Sequence, residues 1–188
     1  VVRALRDENH HPRWRSLWAL SAVDREGSEA IPSFLEGLRD VDPETVRNAA
    51  VALAYFGHPA SRPELLSGLE DEDPWRRWEA VFSLKKVGDP EVSAALIRLL
   101  NESAEPNERV RQESALALGS IGGPLAVPDL INALQQDSSP QVRWRAGLSL
   151  GRIGGASAVS GLQQAQEKEQ DPQVLEHIGK ALVHLSRG

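Results

Sequence analysis

The sequence of 188 residues contains no cysteine and no methionine. Without cysteine the chain has no disulfide framework, no thiolate nucleophile and no cysteine-based zinc or iron–sulfur site. No apolar run approaches the roughly 18 residues that a membrane span requires, and the first residues lack the basic and apolar regions of a signal peptide. We therefore expect a cytoplasmic protein that does not bind or cross a membrane.

Patterns of catalytic residues are also scarce. The sequence has no glycine-rich phosphate loop, no Ser-His-Asp elbow and no His-x-x-Glu-His metal motif, so we predict no metal, no cofactor and no identifiable catalytic residue. The net charge of −6 means that the chain as a whole repels phosphate, and nucleic-acid binding is not expected. Hydrophobic residues make up 40% of the sequence, which is enough for a packed core.

What the sequence does contain is one block that recurs along the chain. Its clearest copy runs from Pro140 to Gly154 and combines Pro-Gln-Val-Arg with Leu-Gly-Arg-Ile-Gly. A fixed period of this size indicates a repeat architecture. One leucine anchors each copy, at intervals of 31 to 34 residues: Leu20, Leu53, Leu84, Leu118, Leu150 and Leu182.

Each repeat is predicted to form two antiparallel helices. The first helix begins at the repeat proline and ends where a glycine can form a left-handed C-cap, at Gly57, Gly88, Gly122 and Gly154. The second helix has proline in its first turn and apolar residues at helical spacing, as in Leu65, Leu66 and Leu69. The predicted first helices span residues 12–23, 43–56, 74–87, 108–121, 140–153 and 172–185.

A unit of this kind cannot bury its apolar stripe alone, so its neighbours must stack on it. The sequence therefore predicts one all-α domain over residues 1–188, with about eleven helices and no strand. Leu5 precedes Leu20 by 15 residues, as Leu38 precedes Leu53, so the chain is expected to be a fragment whose first repeat is incomplete. Residues 103–107 lengthen one connection and are expected to form a polar loop.

The Pro-x-Val-Arg and Leu-x-x-Ile-Gly pattern resembles the HEAT-like repeat named after phycobilisome lyases, over nearly the whole chain. The resemblance implies a right-handed α-solenoid of about five to six HEAT-like helix-pair repeats. Similar repeats occur in phycobilin lyase subunits of the E/F type, in phycobilisome-degradation proteins and in adaptors. The pattern is therefore more informative about fold than about function.

Variation between the copies predicts a binding face. With the repeat proline as position 0, positions 6, 10 and 13 are expected in the core, whereas positions 1, 4, 5, 8 and 12 lie on the other side of the first helix. Tryptophan recurs at position 4 as Trp14, Trp78 and Trp144, and the helical period predicts that Trp78 lies over Phe82. We expect these tryptophans to be exposed along one groove. The predicted partner-binding residues are Trp14, Arg15, Trp18, Arg47, Tyr55, Trp75, Trp78, Phe82, Lys86, Trp144, Arg145, Leu148 and Arg152.

Two structural interpretations stand beside this one. A tryptophan on an apolar stripe is also a common core residue, and a buried one would cost about 3 to 5 kcal/mol on replacement by alanine. The arginines at position 3 and the recurring aspartates before the repeat proline are expected to form an inter-repeat ladder and helix N-caps. These residues are Arg13, Arg77, Arg111 and Arg143, with Asp42, Asp73, Asp137 and Asp171.

Three functions remain open. The first is a non-enzymatic scaffold, adaptor or chaperone-like module that grips a partner protein on a concave face rich in tryptophan and arginine, the residues that dominate binding hot spots. The second, implied by the resemblance, is a phycobilin lyase subunit that binds a bilin and its phycobiliprotein client. Its propionate-pairing residues would be Arg15, Arg47, Arg145 or Arg152. The third is a DNA-binding solenoid, which the net charge disfavours.

Overall fold

The structure is a computed structural model and describes residues 29–187. Within this range ten α-helices follow one another without a strand, joined by short 3₁₀ segments and one π turn. In chain order they are α1 (Ala30–Gly37), α2 (Pro43–Tyr55), α3 (Arg62–Gly68), α4 (Pro74–Val87), α5 (Ser93–Leu100), α6 (Glu108–Ala117), α7 (Val127–Gln136), α8 (Pro140–Ile153), α9 (Ala156–Lys168) and α10 (Pro172–Leu185).

Even- and odd-numbered helices form the two layers of an α-solenoid. The even-numbered helices are the first helices of the repeats, and their predicted spans are confirmed from residue 43 onward; the span predicted at 12–23 lies outside the described residues. Neighbouring first helices pack more closely on one another than neighbouring second helices do. In a curved stack the more closely spaced layer lies on the inside, so the first helices line the concave side.

The core lies between the two layers. The anchor leucines at position 10 are fully buried in α2, α4, α8 and in the turn after α6. Position 6 holds a small or branched side chain that is also buried, which allows the layers to approach closely. Replacing one such leucine by alanine is expected to cost about 2 to 5 kcal/mol. The largest fully buried side chains are Phe34, Leu53, Leu69, Leu84, Leu96, Leu99, Leu118, Leu130, Leu134, Leu150, Leu162 and Ile178.

Aspartate side chains begin three of the first helices, as predicted. Asp42, Asp73 and Asp171 each accept hydrogen bonds from backbone N–H groups of the following first turn, which have no partner within the helix. The prediction that Asp137 is also an N-cap is wrong. Ser139 occupies that position, because the loop places Asp137 two residues before the cap.

Glycines with φ between 67° and 73° follow three of the first helices: Gly57, Gly88 and Gly154. The predicted left-handed cap is confirmed at Gly88, where ψ is 26°, whereas Gly154 has ψ −163° and is not a left-handed cap. The predicted cap at Gly122 is wrong, because α6 continues into a π turn, Leu118–Gly122, and the positive φ falls on Gly123 instead, at φ 54° and ψ −157°. The Ser149 hydroxyl donates to the Ala115 carbonyl at 2.8 Å, in the last turn of α6. A side chain inserted into the helical hydrogen bonds widens the helix, and the cap moves by one residue.

One helical stretch, Glu108–Gln136, is long and apolar enough to cross a membrane by length and composition alone. It is interrupted by the π turn and by Gly123, so it consists of α6 from the first-helix layer and α7 from the second. Inside the protein, 44% of its most apolar window is buried. The stretch is therefore accounted for by repeat packing.

Candidate functional site

Arginines at position 3 join successive repeats along one edge of the solenoid. Each guanidinium group holds both oxygens of a carboxylate in the next inter-repeat loop at 2.6–3.0 Å. It also donates to two backbone carbonyls in the loop before its own helix. The predicted ladder is confirmed for three arginines, whereas Arg13 lies outside the described residues. Of the predicted aspartates only Asp137 takes part, and glutamates take this place in the other two pairs. We call these pairs the arginine ladder: Arg77–Glu105, Arg111–Asp137 and Arg143–Glu169.

The arginine ladder is largely buried, with Glu105 only 1% and Arg111 2% exposed. Burial raises the pKa of Glu105, but hydrogen bonds from Arg77 and from the backbone N–H of Asn107 outweigh it and leave the pKa below its ordinary value. The pKa of Arg111 is raised, chiefly by its hydrogen bonds to Asp137. The inserted loop, predicted to be merely polar, thus contributes a buried ladder acid.

Aromatic rings form a continuous stack on the concave side of α4. The Trp75 and Trp78 ring centroids lie 4.7 Å apart, and those of Trp78 and Phe82 lie 5.3 Å apart, both stacked. The ammonium groups of Lys85 and Lys86 lie 4.8 and 5.8 Å from the centroid of Phe82, within cation–π range. Trp75 is 36% exposed, whereas Trp78 and Phe82 are half-buried.

A groove with a volume of about 410 Å³ runs from this stack across α6 to α8. We call it the tryptophan groove. Trp75 and Trp78 form one wall, the exposed Arg109 begins α6, and Arg145 reaches in from α8. Three successive repeats thus contribute to one site. Its remaining lining residues are Asp73, Pro74, Asn107, Gln112 and Glu113.

A second groove, of about 230 Å³, lies between α8 and α10. The Trp144 ring centroid lies 4.8 Å from that of His177, and the Arg145 guanidinium lies 4.4 Å from the Trp144 centroid. Trp78 and Trp144 therefore line neighbouring grooves rather than the single groove expected from the sequence. Arg145 links the two, because it lines the tryptophan groove and stacks on the tryptophan of the second groove.

Four cations on the concave face differ from those of the ladder in having no carboxylate partner among the described residues. Between residues 29 and 187, no ion pair is formed by Lys86, Arg109, Arg145 or Arg152. Glu113, one of the two acids that line the tryptophan groove, is ion-paired with Lys85. Positive charge on this face is thus available to a ligand.

The other predicted site residues are spread along the same helices. Arg47 on α2 is half-buried and ion-paired with Glu44 at 2.6 Å, and the Tyr55 ring lies 6.0 Å from Phe56. Leu148 is half-buried, while Lys86 and Arg152 are exposed. None of the ten predicted residues in the described range is fully buried. Trp14, Arg15 and Trp18 lie outside the described residues.

Among the groove-lining residues that the sequence interpretation did not select are Arg109, Gln112, Glu113 and His177. They occupy positions 1, 4 and 5 of their repeats, the same positions as the predicted tryptophans and arginines. That positional signal could have identified them, although single acids and amides do not stand out in a sequence. In the described part of the chain, no three His, Asp or Glu side chains are arranged to hold a metal ion.

A family model for HEAT repeats matches residues 31–106 and 102–183. The chain belongs to the HEAT repeat family. The helix pairs and their buried anchor leucines are thus HEAT repeats, and the tryptophan groove lies across the first helices of three of them. A comparison of this HEAT repeat protein with curated proteins gives no match.

Solved structures share the HEAT repeat protein's fold at low sequence identity. The CpcE–CpcF complex of phycocyanin lyase from Nostoc sp. PCC7120 matches with a TM-score of 0.64 and 20% identity, over 81% of this chain and 97% of that chain. A designed armadillo repeat protein in complex with the peptide (KR)4 matches with a TM-score of 0.61 and 18% identity, over 98% and 97%.

A third likeness is partial. Selenomethionine-labelled epoxyqueuosine reductase is 24% identical over 48% of this chain, and the match spans only 28% of that chain. Its TM-score of 0.43 is too low to indicate a common overall fold.

Proposed function

We propose that this HEAT repeat protein is a non-enzymatic scaffold that holds a segment of a partner protein along its concave first-helix face. The observation that carries the proposal is the tryptophan groove, in which three repeats contribute to one site. A site built across successive repeats suits an extended chain segment, because the segment can continue from one repeat to the next.

The residue types of the groove support this proposal. The rings of Trp75 and Trp78 are held by stacking and remain partly exposed, so they offer apolar area that is already ordered before binding. Arg109 and Arg145 offer planar donors that no acid of the described chain engages. Ordered aromatic rings and available arginines are the typical composition of an interface hot spot. The designed armadillo repeat protein further shows that a stack of this fold can hold a peptide.

The likeness to the CpcE–CpcF complex favours a second candidate function. As a lyase-type subunit, the protein would hold an open-chain tetrapyrrole on the concave face and bind a phycobiliprotein. Trp144 would stack against the bilin, and Arg145 and Arg152 would pair with its propionates. The thioether bond would then form on a cysteine of the client.

Capture from a lysate of the source, compared between variants, tests the scaffold proposal. The immobilised chain and the Trp78→Ala and Trp144→Ala variants would be compared with Gln163→Ala, an exposed position on a second helix. We expect the same polypeptides on the original chain and on Gln163→Ala, and their loss from both tryptophan variants. Thermal melts of each protein establish that the variants are folded.

Capture that is unchanged by both tryptophan substitutions would show the scaffold proposal to be wrong. Adding free bilin to the same four proteins separates the second candidate. Visible absorbance that is induced by the original chain and lost in Trp144→Ala would favour the lyase-type function.

A further inference from the structure

Two arginines bring hydrogen-bond donors to the tryptophan groove. Arg145 is held in place by its stacking on Trp144, with 4.4 Å between the guanidinium carbon and the ring centroid. The Nε atom of Arg145 and the Nε1 atom of Trp144 are both buried, and no acceptor of the described chain is within hydrogen-bond distance. Arg109, at the start of α6, also lines the groove and is exposed. Since all of these groups are donors, they favour a ligand that carries hydrogen-bond acceptors.

The carboxylates that line the groove are already engaged. Glu113 is ion-paired with Lys85, and Asp73 begins α4 by accepting a hydrogen bond from the backbone N–H of Trp75 at 2.9 Å. Because Lys85 neutralises Glu113, two guanidinium charges face one carboxylate charge in the groove. The chain as a whole carries a net charge of −6, so this excess of positive charge is local and can select a ligand of opposite sign.

We propose that the segment held in the tryptophan groove is acidic, with carboxylate side chains that alternate with apolar ones. This inference rests on the proposed scaffold function, since it names the chemistry of the partner. Arginine binds carboxylates through two parallel hydrogen bonds, which assigns the acidic side chains to Arg109 and Arg145. The rings of Trp75 and Trp78 provide the surface for the apolar side chains.

Alternation follows from the geometry of an extended chain. Successive side chains point to opposite sides, and residues two apart are separated by about 6.5 Å. A segment with an acid at every second position therefore turns all its carboxylates to one wall and all its apolar side chains to the other. The groove has such a division, because its aromatic wall comes from α4 and its arginines come from α6 and α8.

Peptides that differ only in charge test this inference on the full chain. Fluorescein-labelled (Glu-Leu)4, (Gln-Leu)4 and (Lys-Leu)4 would be titrated with the protein, and fluorescence anisotropy would report the Kd of each. We expect (Glu-Leu)4 to bind at least about tenfold more tightly than (Gln-Leu)4, a difference of about 1.4 kcal/mol, and (Lys-Leu)4 to bind most weakly. The advantage of the acidic peptide should shrink as salt is raised, because salt screens exposed charges.

Variants that remove one positive charge test which arginines bind the carboxylates of the peptide. Arg109→Gln and Arg145→Gln should each weaken (Glu-Leu)4 binding about fivefold or more, and should weaken (Gln-Leu)4 binding by a clearly smaller factor. Lys168→Gln is the matched control, because it removes the same charge at an exposed position on the second helix α9. Arg109→Gln keeps the test valid if Arg145→Gln disturbs the packing of Trp144, since Arg109 is exposed.

The possible failures are distinguishable. The proposal of an acidic segment is wrong if (Gln-Leu)4 or (Lys-Leu)4 binds as tightly as (Glu-Leu)4. It is also wrong if Lys168→Gln weakens (Glu-Leu)4 binding as much as Arg109→Gln does. Binding of (Gln-Leu)4 that is lost in Trp78→Ala, with no advantage for the acidic peptide, would refute this inference alone and leave the scaffold function standing. If peptide binding does not depend on Trp78 and lysate capture depends on neither Trp78 nor Trp144, both proposals fail.

Discussion

The protein contains two sets of arginines, one paired with carboxylates inside the protein and one without such a partner among the described residues. Those of the arginine ladder hold a carboxylate and two backbone carbonyls between successive repeats. Those of the concave face, Arg109, Arg145 and Arg152, have no carboxylate partner among the described residues. The side chains are chemically identical, and only their position in the repeat differs. Position 3 adjoins the next inter-repeat loop, whereas positions 1, 5 and 12 face the concave side.

The comparison shows that one residue type serves two purposes in this solenoid. A buried arginine that is fully paired within the protein connects the repeats, and its loss would leave an uncompensated charge. An arginine without an internal partner adds little to folding and remains available to a ligand. Substitutions in the ladder should therefore change stability, and substitutions on the face should change binding.

The largest expected effect is on the ladder, at Arg111. Replacing it with methionine leaves the buried Asp137 and two loop carbonyls without their donor. We expect the free energy of unfolding to fall by about 3 to 5 kcal/mol, measured by urea denaturation. Arg145→Met, on the face, is the control and should lose less than about 1 kcal/mol. Equal losses in the two variants would contradict the distinction between ladder and face.

A smaller effect is expected at Trp78, which belongs to the face but packs partly on the core. Because its ring is half-buried, Trp78→Ala should lower the free energy of unfolding by about 1 to 2 kcal/mol, between the values typical of surface and core positions. Partner binding should weaken by about 2 kcal/mol or more. Trp75→Ala, at a more exposed position, should destabilise less. A loss above about 3 kcal/mol at Trp78 would assign it to the core.

The contribution of the arginine ladder to the free energy of unfolding should also depend on pH. Burial raises the pKa of Glu169, but hydrogen bonds from Arg143 and from the backbone N–H groups of Asp171 and Gln170 outweigh it, so the pKa lies below the ordinary 4.5. A lowered pKa in the folded state stabilises the protein above pH 4.5, and this stabilisation is lost as the pH falls through the folded-state value.

We therefore expect Glu169→Gln to be less stable at pH 7 and to lose less stability between pH 5 and 3, by up to about 1.4 kcal/mol per pH unit for one carboxylate. Denaturation curves at several pH values measure this slope. Glu167→Gln, at an exposed position of α9, is the control and should keep the slope of the original chain. An unchanged slope in Glu169→Gln would show that this ladder pair does not govern acid unfolding.

The smallest effect is expected where the ladder is missing. In α2 position 3 holds Val46. Asp71, the acid in the corresponding loop, accepts a hydrogen bond from the backbone N–H of Asp73 and forms an ion pair with Arg76 at 3.5 Å. Val46→Arg should add a bidentate pair and raise the free energy of unfolding by about 0.5 to 1 kcal/mol. Val46→Lys is the control, because an ammonium group cannot form the two parallel hydrogen bonds. Equal stability of the arginine and lysine variants would argue against a specific ladder geometry.

The repeat pattern was sufficient to predict the fold. A leucine recurs about every 32 residues, and no single repeat can cover it, so stacked helix pairs are the solution that buries every copy. Leu53, Leu84, Leu118 and Leu150 are all fully buried. The helical period likewise places Trp78 over Phe82, and the two rings stack. These features depend on spacing within one helix or on a period that the sequence displays.

The contacts between repeats were decided only by the tertiary structure. Which acid meets Arg111, and whether Arg145 reaches the groove of Trp75, depend on the shift and angle between stacked helices. No local spacing encodes that geometry, since partners such as Arg111 and Asp137 are 26 residues apart. The cap at Gly122 was mispredicted for the same reason: Ser149, 34 residues beyond Ala115, inserts into the end of α6. The sequence determined which residues share a face, and the packing of the repeats determined which of them meet.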